Sequence, residues 1–196
     1  IRDSCTAALI FIMFYGGFGT NWQRAKAVAV KAVLLSTIGV IITCFLTGLF
    51  CHFALHMSWE ISLLIGALIS STDAASVFSI LRSKKLNLKY NTASLLEVES
   101  GSNDPCAYML TVAFIAISQG SVSAGNIAIL IVKQLAFGIL FGALIAKLSI
   151  VLLRYIRFKS AGFDAIFMVG IALISYALPA YFDGNGFLST YIVGII

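Results

Sequence analysis

The chain has 196 residues, is 60% hydrophobic and 11% charged, and carries a formal net charge of +5. A soluble domain is nearer half apolar and a quarter charged, so this composition excludes an ordinary soluble fold and defines a polytopic membrane protein. Runs such as "AILIVKQLAFGILFGALIA" do not alternate apolar with polar residues, which excludes a transmembrane barrel and leaves an all-α bundle of membrane-spanning helices.

In chain order the hydropathy predicts six hydrophobic segments and the start of a seventh. They run over Thr6 to Gly19, Ala27 to Leu55, Ile61 to Leu81, Ala93 to Ser118, Ala124 to Arg154 and Gly162 to Phe182, with the last opening near Gly186. Connections are short and no repeat or low-complexity tract separates them, so residues 1–196 read as one transmembrane domain, a fragment of a longer protein. The four cysteines, Cys5, Cys44, Cys51 and Cys106, lack metal-type spacing and read as small core residues. His52 and His56, four apart, have metal-ligand spacing but sit where an interfacial role is expected.

Charge alternates along the connections. Loops 20–31, 82–92 and 154–161 hold ten of the 13 basic residues, and the intervening connections hold none. The positive-inside rule makes these three loops cytoplasmic in a multi-pass protein of the plasma membrane. The positive charge then reflects topology and lipid headgroups rather than nucleic-acid binding.

Three carboxylates, Glu97, Glu99 and Asp104, stand in "SLLEVESGSNDPCAYML", and a fourth, Asp73, in "LIGALISSTDAASVFSIL". Asp73 lies 12 residues on from Ile61, where the third segment enters, and Asp104 ten on from Ser94, near where the fourth enters. At about 1.5 Å per helical residue, both sit roughly 15–18 Å deep, near the middle of the bilayer. An acid there is costly and marks a functional site unless a basic partner neutralises it, and outside the basic loops only Lys133 and Lys147 fall within the predicted spans. Ser70, Ser71, Thr72 and Asp73 predict a helix broken at Thr72-Asp73, with Asp73 placed to cap the half-helix from Ala74. Pro105 removes a backbone donor, and Gly101, Ser102 and Asn103 are poor helix formers, so the fourth segment is also expected to expose oxygens to a cation. Glu97, Ser100 and Asp104 share one helical face. Glu97, nearer the cytoplasm, is placed to line a negatively charged funnel, while Glu99 points elsewhere and needs a cationic partner.

"STDAASVFSIL" followed by "LLEVESGSNDP" resembles the cation:proton antiporter-1 family of the sodium/proton exchanger superfamily, whose signature is a Thr-Asp pair in a broken helix and Glu-Ser-x-x-Asn-Asp on the next. The "ESGSNDP" form is most similar to the bacterial potassium/proton antiporter branch, and "GNGFLSTYIVGII" resembles a later span of the family. The resemblance implies a fold of about thirteen helices with inverted repeats, usually a homodimer, of which this chain corresponds to helices three to nine. It implies an ion- and proton-binding site of Asp104, Asp73, Thr72, Ser100 and Asn103, with Glu99 in a structural ion pair whose arginine lies outside this chain. Tyr15 stands where many relatives carry an acid. Asn103 beside Asp104 is neutral where electrogenic relatives tend to carry a second Asp, so the resemblance implies one proton per cation.

The chemistry expected is antiport of K⁺ or Na⁺ against H⁺. Asp104 holds a proton or helps to coordinate a dehydrated alkali cation, never both, and alternating access couples the two. No cofactor, and no metal beyond the transported cation, is expected. A gated cation channel or ligand-gated efflux system is the alternative, but no filter-like repeat supports a continuous pore. An intramembrane enzyme would need a Ser/Lys or His-rich metal pair, and none is seen.

Overall fold

The structure is a computed structural model describing residues 2–83, 88–120, 124–155 and 162–196. No strand occurs among the described residues. Among the described residues eight α-helices follow one another: α1 (Arg2–Phe18), α2 (Trp22–Leu55), α3 (Trp59–Ile69), α4 (Ala74–Ser83), α5 (Thr92–Ser118), α6 (Ile127–Tyr155), α7 (Phe163–Tyr181) and α8 (Gly186–Ile195). The seven sequence segments correspond to these helices, with the third divided into α3 and α4. Four stretches are long and apolar enough to cross a membrane by length and composition: Trp22–Leu55, Trp59–Leu81, Ile127–Tyr155 and Phe163–Tyr181. The acidic α5 falls outside that set although it has 27 residues. Of the three basic loops, residues 84–87 and 156–161 lie outside the described residues.

The chain divides into two compact units, Ile1–Trp22 with Lys133–Ile196, and Gln23–Val132. The second carries Asp73, Glu97, Glu99 and Asp104. Its longest element, α2, has 34 residues and so spans about 51 Å. Its buried positions are Ala25, Val28, Ala32, Ser36, Val40, Cys44, Gly48 and Cys51, a stripe of small residues three or four apart. Small side chains let backbones approach closely where lipid offers no hydrophobic drive between helices. Gly66 of α3 uses that stripe: a Cβ there would run into the main chain of Cys44. The Cys44 thiol donates to the Leu63 carbonyl at 3.5 Å beside it. Toward its other end, α2 buries Ala25 and Ala32 with Val98 of α5.

The α2–α3 turn is held by a histidine. His52 Nδ1 lies 2.7 Å from the Met57 carbonyl, and its ring stacks on Trp59 at 4.0 Å between centroids. His56 takes φ 54, a left-handed turn residue. Among the described residues no group of three metal-ligating side chains forms.

The other unit packs α8 against α1, α6 and α7. Gly17 and Gly194 face each other, and a Cβ on either would strike the opposite backbone. Gly142 of α6 gives room to Ser189 and Ile192 of α8. Asn185 fixes the start of α8: its side chain accepts from Leu188 N at 3.0 Å and its amide donates to the Gln134 carbonyl at 3.0 Å. Ser175 of α7 donates to Thr190 of α8 at 3.0 Å, and Ile145, Ala146, Ile171 and Val193 form the core. Lys133, one of the two basic residues expected within spans, pairs with Asp183 at 2.8 Å.

Candidate functional site

Helix α3 stops at Ile69, only 11 residues from its start, and α4 begins at Ala74. Between them Ser70 turns its hydroxyl back onto the Ala67 carbonyl at 2.7 Å, a bond that competes with continued helix. Asp73 then caps α4. One carboxylate oxygen accepts from the Ser76 amide at 3.2 Å and the other from the Ser76 hydroxyl. In an unbroken helix the Ser76 amide would bond the Thr72 carbonyl four residues back. Its capture by Asp73 takes that donor away, so the sequence "STDAAS" itself releases a main-chain oxygen at the break.

Helix α5 supplies the facing side. It runs unbroken from Thr92 to Ser118 with Pro105 inside, through the poor helix formers Gly101, Ser102 and Asn103. Gly101, Asn103 and Pro105 are all buried, so tertiary packing holds a stretch whose intrinsic propensity is poor. The proline still deprives the Gly101 carbonyl of its usual donor.

The break and α5 meet through side chains. Ser71 donates to Asp104 Oδ1. Asn103 Nδ2 donates to the Thr72 hydroxyl, and also reaches Glu99 Oε1 at 3.4 Å. The Thr72 and Ser100 hydroxyls lie 3.1 Å apart. Two helices remote in sequence are thus joined at one level by Ser71, Thr72, Ser100, Asn103 and Asp104. The Asn103 orientation follows from its partners: an ionised carboxylate only accepts, so the amide nitrogen faces Glu99 and Oδ1 faces Ser71, 3.3 Å away.

Of the residues singled out in the sequence, Thr72, Ser100, Asn103 and Asp104 come together here. Asp73 lies beside them, but its carboxylate is turned to Ser76, and no hydrogen bond among the described residues joins it to Asp104. Glu99 touches the cluster through Asn103, and no salt bridge among the described residues reaches Glu99, Asp73 or Asp104. Glu97 is half-buried on the same helix. Ser71 is the residue the sequence reading left out of the site. Its signal was present as the hydroxyl immediately before the Thr-Asp pair.

An interrupted helix docked by its break onto an acid-bearing neighbour, in a multi-pass membrane protein, is the architecture of the transporter class built on discontinuous helices. Within that class, the family model described as sodium/hydrogen exchanger, transmembrane, matches residues 5–196, and the chain belongs to that family. It is 38% identical over 188 residues to a K⁺/H⁺ antiporter, NhaP, of Alkalimonas amylolytica, covering 95% of this chain and 33% of that protein. A probable Na⁺/H⁺ antiporter of Methanocaldococcus jannaschii is 26% identical, with 95% of this chain and 45% of that protein covered. The solved structure of the sodium proton antiporter MjNhaP1 from the same organism, at pH 8, superposes with a TM-score of 0.79 and 25% identity, over 97% of this chain and 48% of that one. The chain therefore spans about a third of the length of the first of these relatives and about half of the solved chain.

Proposed function

We propose that the full-length parent of this chain is a plasma-membrane antiporter exchanging K⁺ or Na⁺ for H⁺, with proton and cation competing for Asp104 under alternating access. The observation that carries the reading is the bond between Asp104 and the interrupted segment: the one acid tied directly to the break belongs to a second helix and has no basic partner among the described residues. Family membership and the names of the relatives support it. An acid neutralised by either a proton or a cation can move across a low-dielectric barrier, whereas a bare carboxylate there is costly. That asymmetry couples the two fluxes without a cofactor.

In this reading Thr72, Ser100 and Asn103 complete the oxygen-lined site, with Asp73 beside it as a second negative charge, and oxygen ligands suit hard alkali cations. Glu99 belongs to a structural ion pair completed elsewhere in the parent, where a homodimer is the working assembly. Glu97 lines a cytoplasmic funnel and raises the local cation concentration. The test is flux in proteoliposomes of the full-length parent, with K⁺ and Na⁺ in turn. Asp104→Asn should abolish exchange with both while the protein still reaches the membrane. In the same assay Glu99→Gln should lower the yield of folded protein more than cation affinity. Glu97→Gln should raise cation KM, more at low ionic strength than at high. Exchange by Asp104→Asn above about a tenth of wild type, against the complete loss expected when the titrating group is removed, would sink the competition mechanism.

A further inference from the structure

Ser71 sits at the meeting point of the two helices, and its surroundings hold more acceptors than its single proton can serve. Its Oγ bonds Asp104 Oδ1, lies 3.3 Å from Asn103 Oδ1 and lies 3.3 Å from the main-chain oxygen of Thr72. A serine hydroxyl has one hydrogen and two lone pairs. Two of its three acceptor neighbours therefore go without that hydrogen at any moment. One cannot turn away: the Asn103 amide is fixed with its nitrogen toward Glu99 and Thr72. Another, the Thr72 carbonyl, loses its helical donor because Asp73 takes the Ser76 amide. The third carries the carboxylate charge. Four oxygens converge with one proton and one negative charge among them, which is the composition of an alkali-cation shell rather than of a satisfied hydrogen-bond network.

We propose that Ser71 Oγ is a direct ligand of the transported cation, together with Asp104 Oδ1, Asn103 Oδ1 and the Thr72 main-chain oxygen. This rests on the antiport reading above. Without a cation, the hydroxyl donates to the Asp104 carboxylate. When the cation enters, the hydroxyl rotates its hydrogen away from the site centre and presents a lone pair. The rotor thus serves the carboxylate in one state and the cation in the other. A cation that keeps its water shell has no need of the serine, so the residue also favours the dehydrated ion.

The experiment measures exchange kinetics of the full-length parent in proteoliposomes for K⁺ and Na⁺, with Ser71→Ala, Ser71→Cys and Ser71→Thr. Ser71→Ala removes the ligand and should raise cation KM about tenfold, the scale of one lost contact to a charged group, with maximal rate within about twofold. Ser71→Cys keeps the size and a donor but offers soft sulfur to a hard cation, and should raise KM in the same direction. Ser71→Thr keeps the hydroxyl and should stay near wild type. Should Ser71→Ala fail to reach the membrane, the Cys and Thr pair decides alone. A wild-type KM in Ser71→Cys, or a maximal rate that falls in all three variants with KM unchanged, overturns the ligand role and leaves a packing serine. Asp104→Asn, run alongside, separates the two readings. Its inactivity with a wild-type Ser71→Cys defeats only the present inference, and its activity defeats the antiport reading beneath it.

Discussion

An aspartate side chain has two carboxylate oxygens, and at Asp73 both are engaged by Ser76. At Asp104 one oxygen is engaged by Ser71 across the helix break. The residue types are identical and their sequence depths nearly so, yet the environments assign them different work. Sequence depth alone made both midplane acids. The cap by Asp73 on the half-helix from Ala74 was legible in the sequence, but that both its carboxylate oxygens turn to Ser76 was not, because that depends on the rotamer chosen there. This difference can be measured. Asn caps a helix about as well as Asp, whereas Ala does not, and losing a cap costs about 0.5–2 kcal/mol. Asp73→Asn in the full-length parent should therefore keep its thermal midpoint while raising cation KM through the loss of a nearby charge. Asp73→Ala should lower the midpoint as well. Equal midpoints for Asn and Ala would show that the cap is dispensable. Ser71 escaped the sequence reading for a related reason: a hydroxyl in an apolar span more often bonds its own helix, as Ser70 and Ser175 do here, and only the partner helix distinguishes one that does not.

At the scale of elements, hydropathy and polar punctuation located the helices within a few residues. "SSTD" marked the break because four consecutive polar side chains in hydrocarbon have no other economical explanation. In α5 the poor helix formers Gly101 and Asn103, followed by Pro105, leave the predicted fourth segment unbroken. Propensity measures an isolated helix, and here burial of that stretch outweighs it. Helix pairing was less visible still. The spacing of small residues along α2 marks a packing stripe, but the partner at each level is fixed only by the fold. Gly66 makes that partner testable. Its missing side chain lets α3 lie directly on the Cys44 backbone, and main chain gives way less readily than a side-chain tip. Gly66→Ala should destabilise the parent by about 1–3 kcal/mol, the usual range for overpacking, read as a lower thermal midpoint in detergent. An unchanged midpoint would mean that α2 and α3 do not approach so closely.

For the whole molecule, the positive-inside rule predicts which end of the candidate site faces the cytoplasm. The described part of the connection between α4 and α5 gives a handle on it. Tyr90 is 95% exposed and adopts φ 57, so a thiol there meets reagent wherever the loop faces. On the opposite side, Ser58 precedes α3, is exposed, and makes no side-chain cap bond. The free cysteine Cys5 is exposed and would obscure the readout, whereas Cys44 and Cys51 are buried. In the full-length parent, with reactive native thiols replaced, a membrane-impermeant maleimide added outside intact cells should label Ser58→Cys and spare Tyr90→Cys. Permeabilising the cells should then expose Tyr90→Cys. The argument depends only on charge: Lys and Arg are held on the cytoplasmic side during insertion, and loops 20–31, 82–92 and 154–161 concentrate them on one side of every crossing. Since α3 and α4 together make one crossing, Ser58 and Tyr90 must lie on opposite sides if the interrupted helix spans the membrane. Labelling of both from outside would refute the crossing itself. Labelling of Tyr90→Cys alone would keep the crossing and reverse its direction, moving Glu97 and its funnel to the outer face.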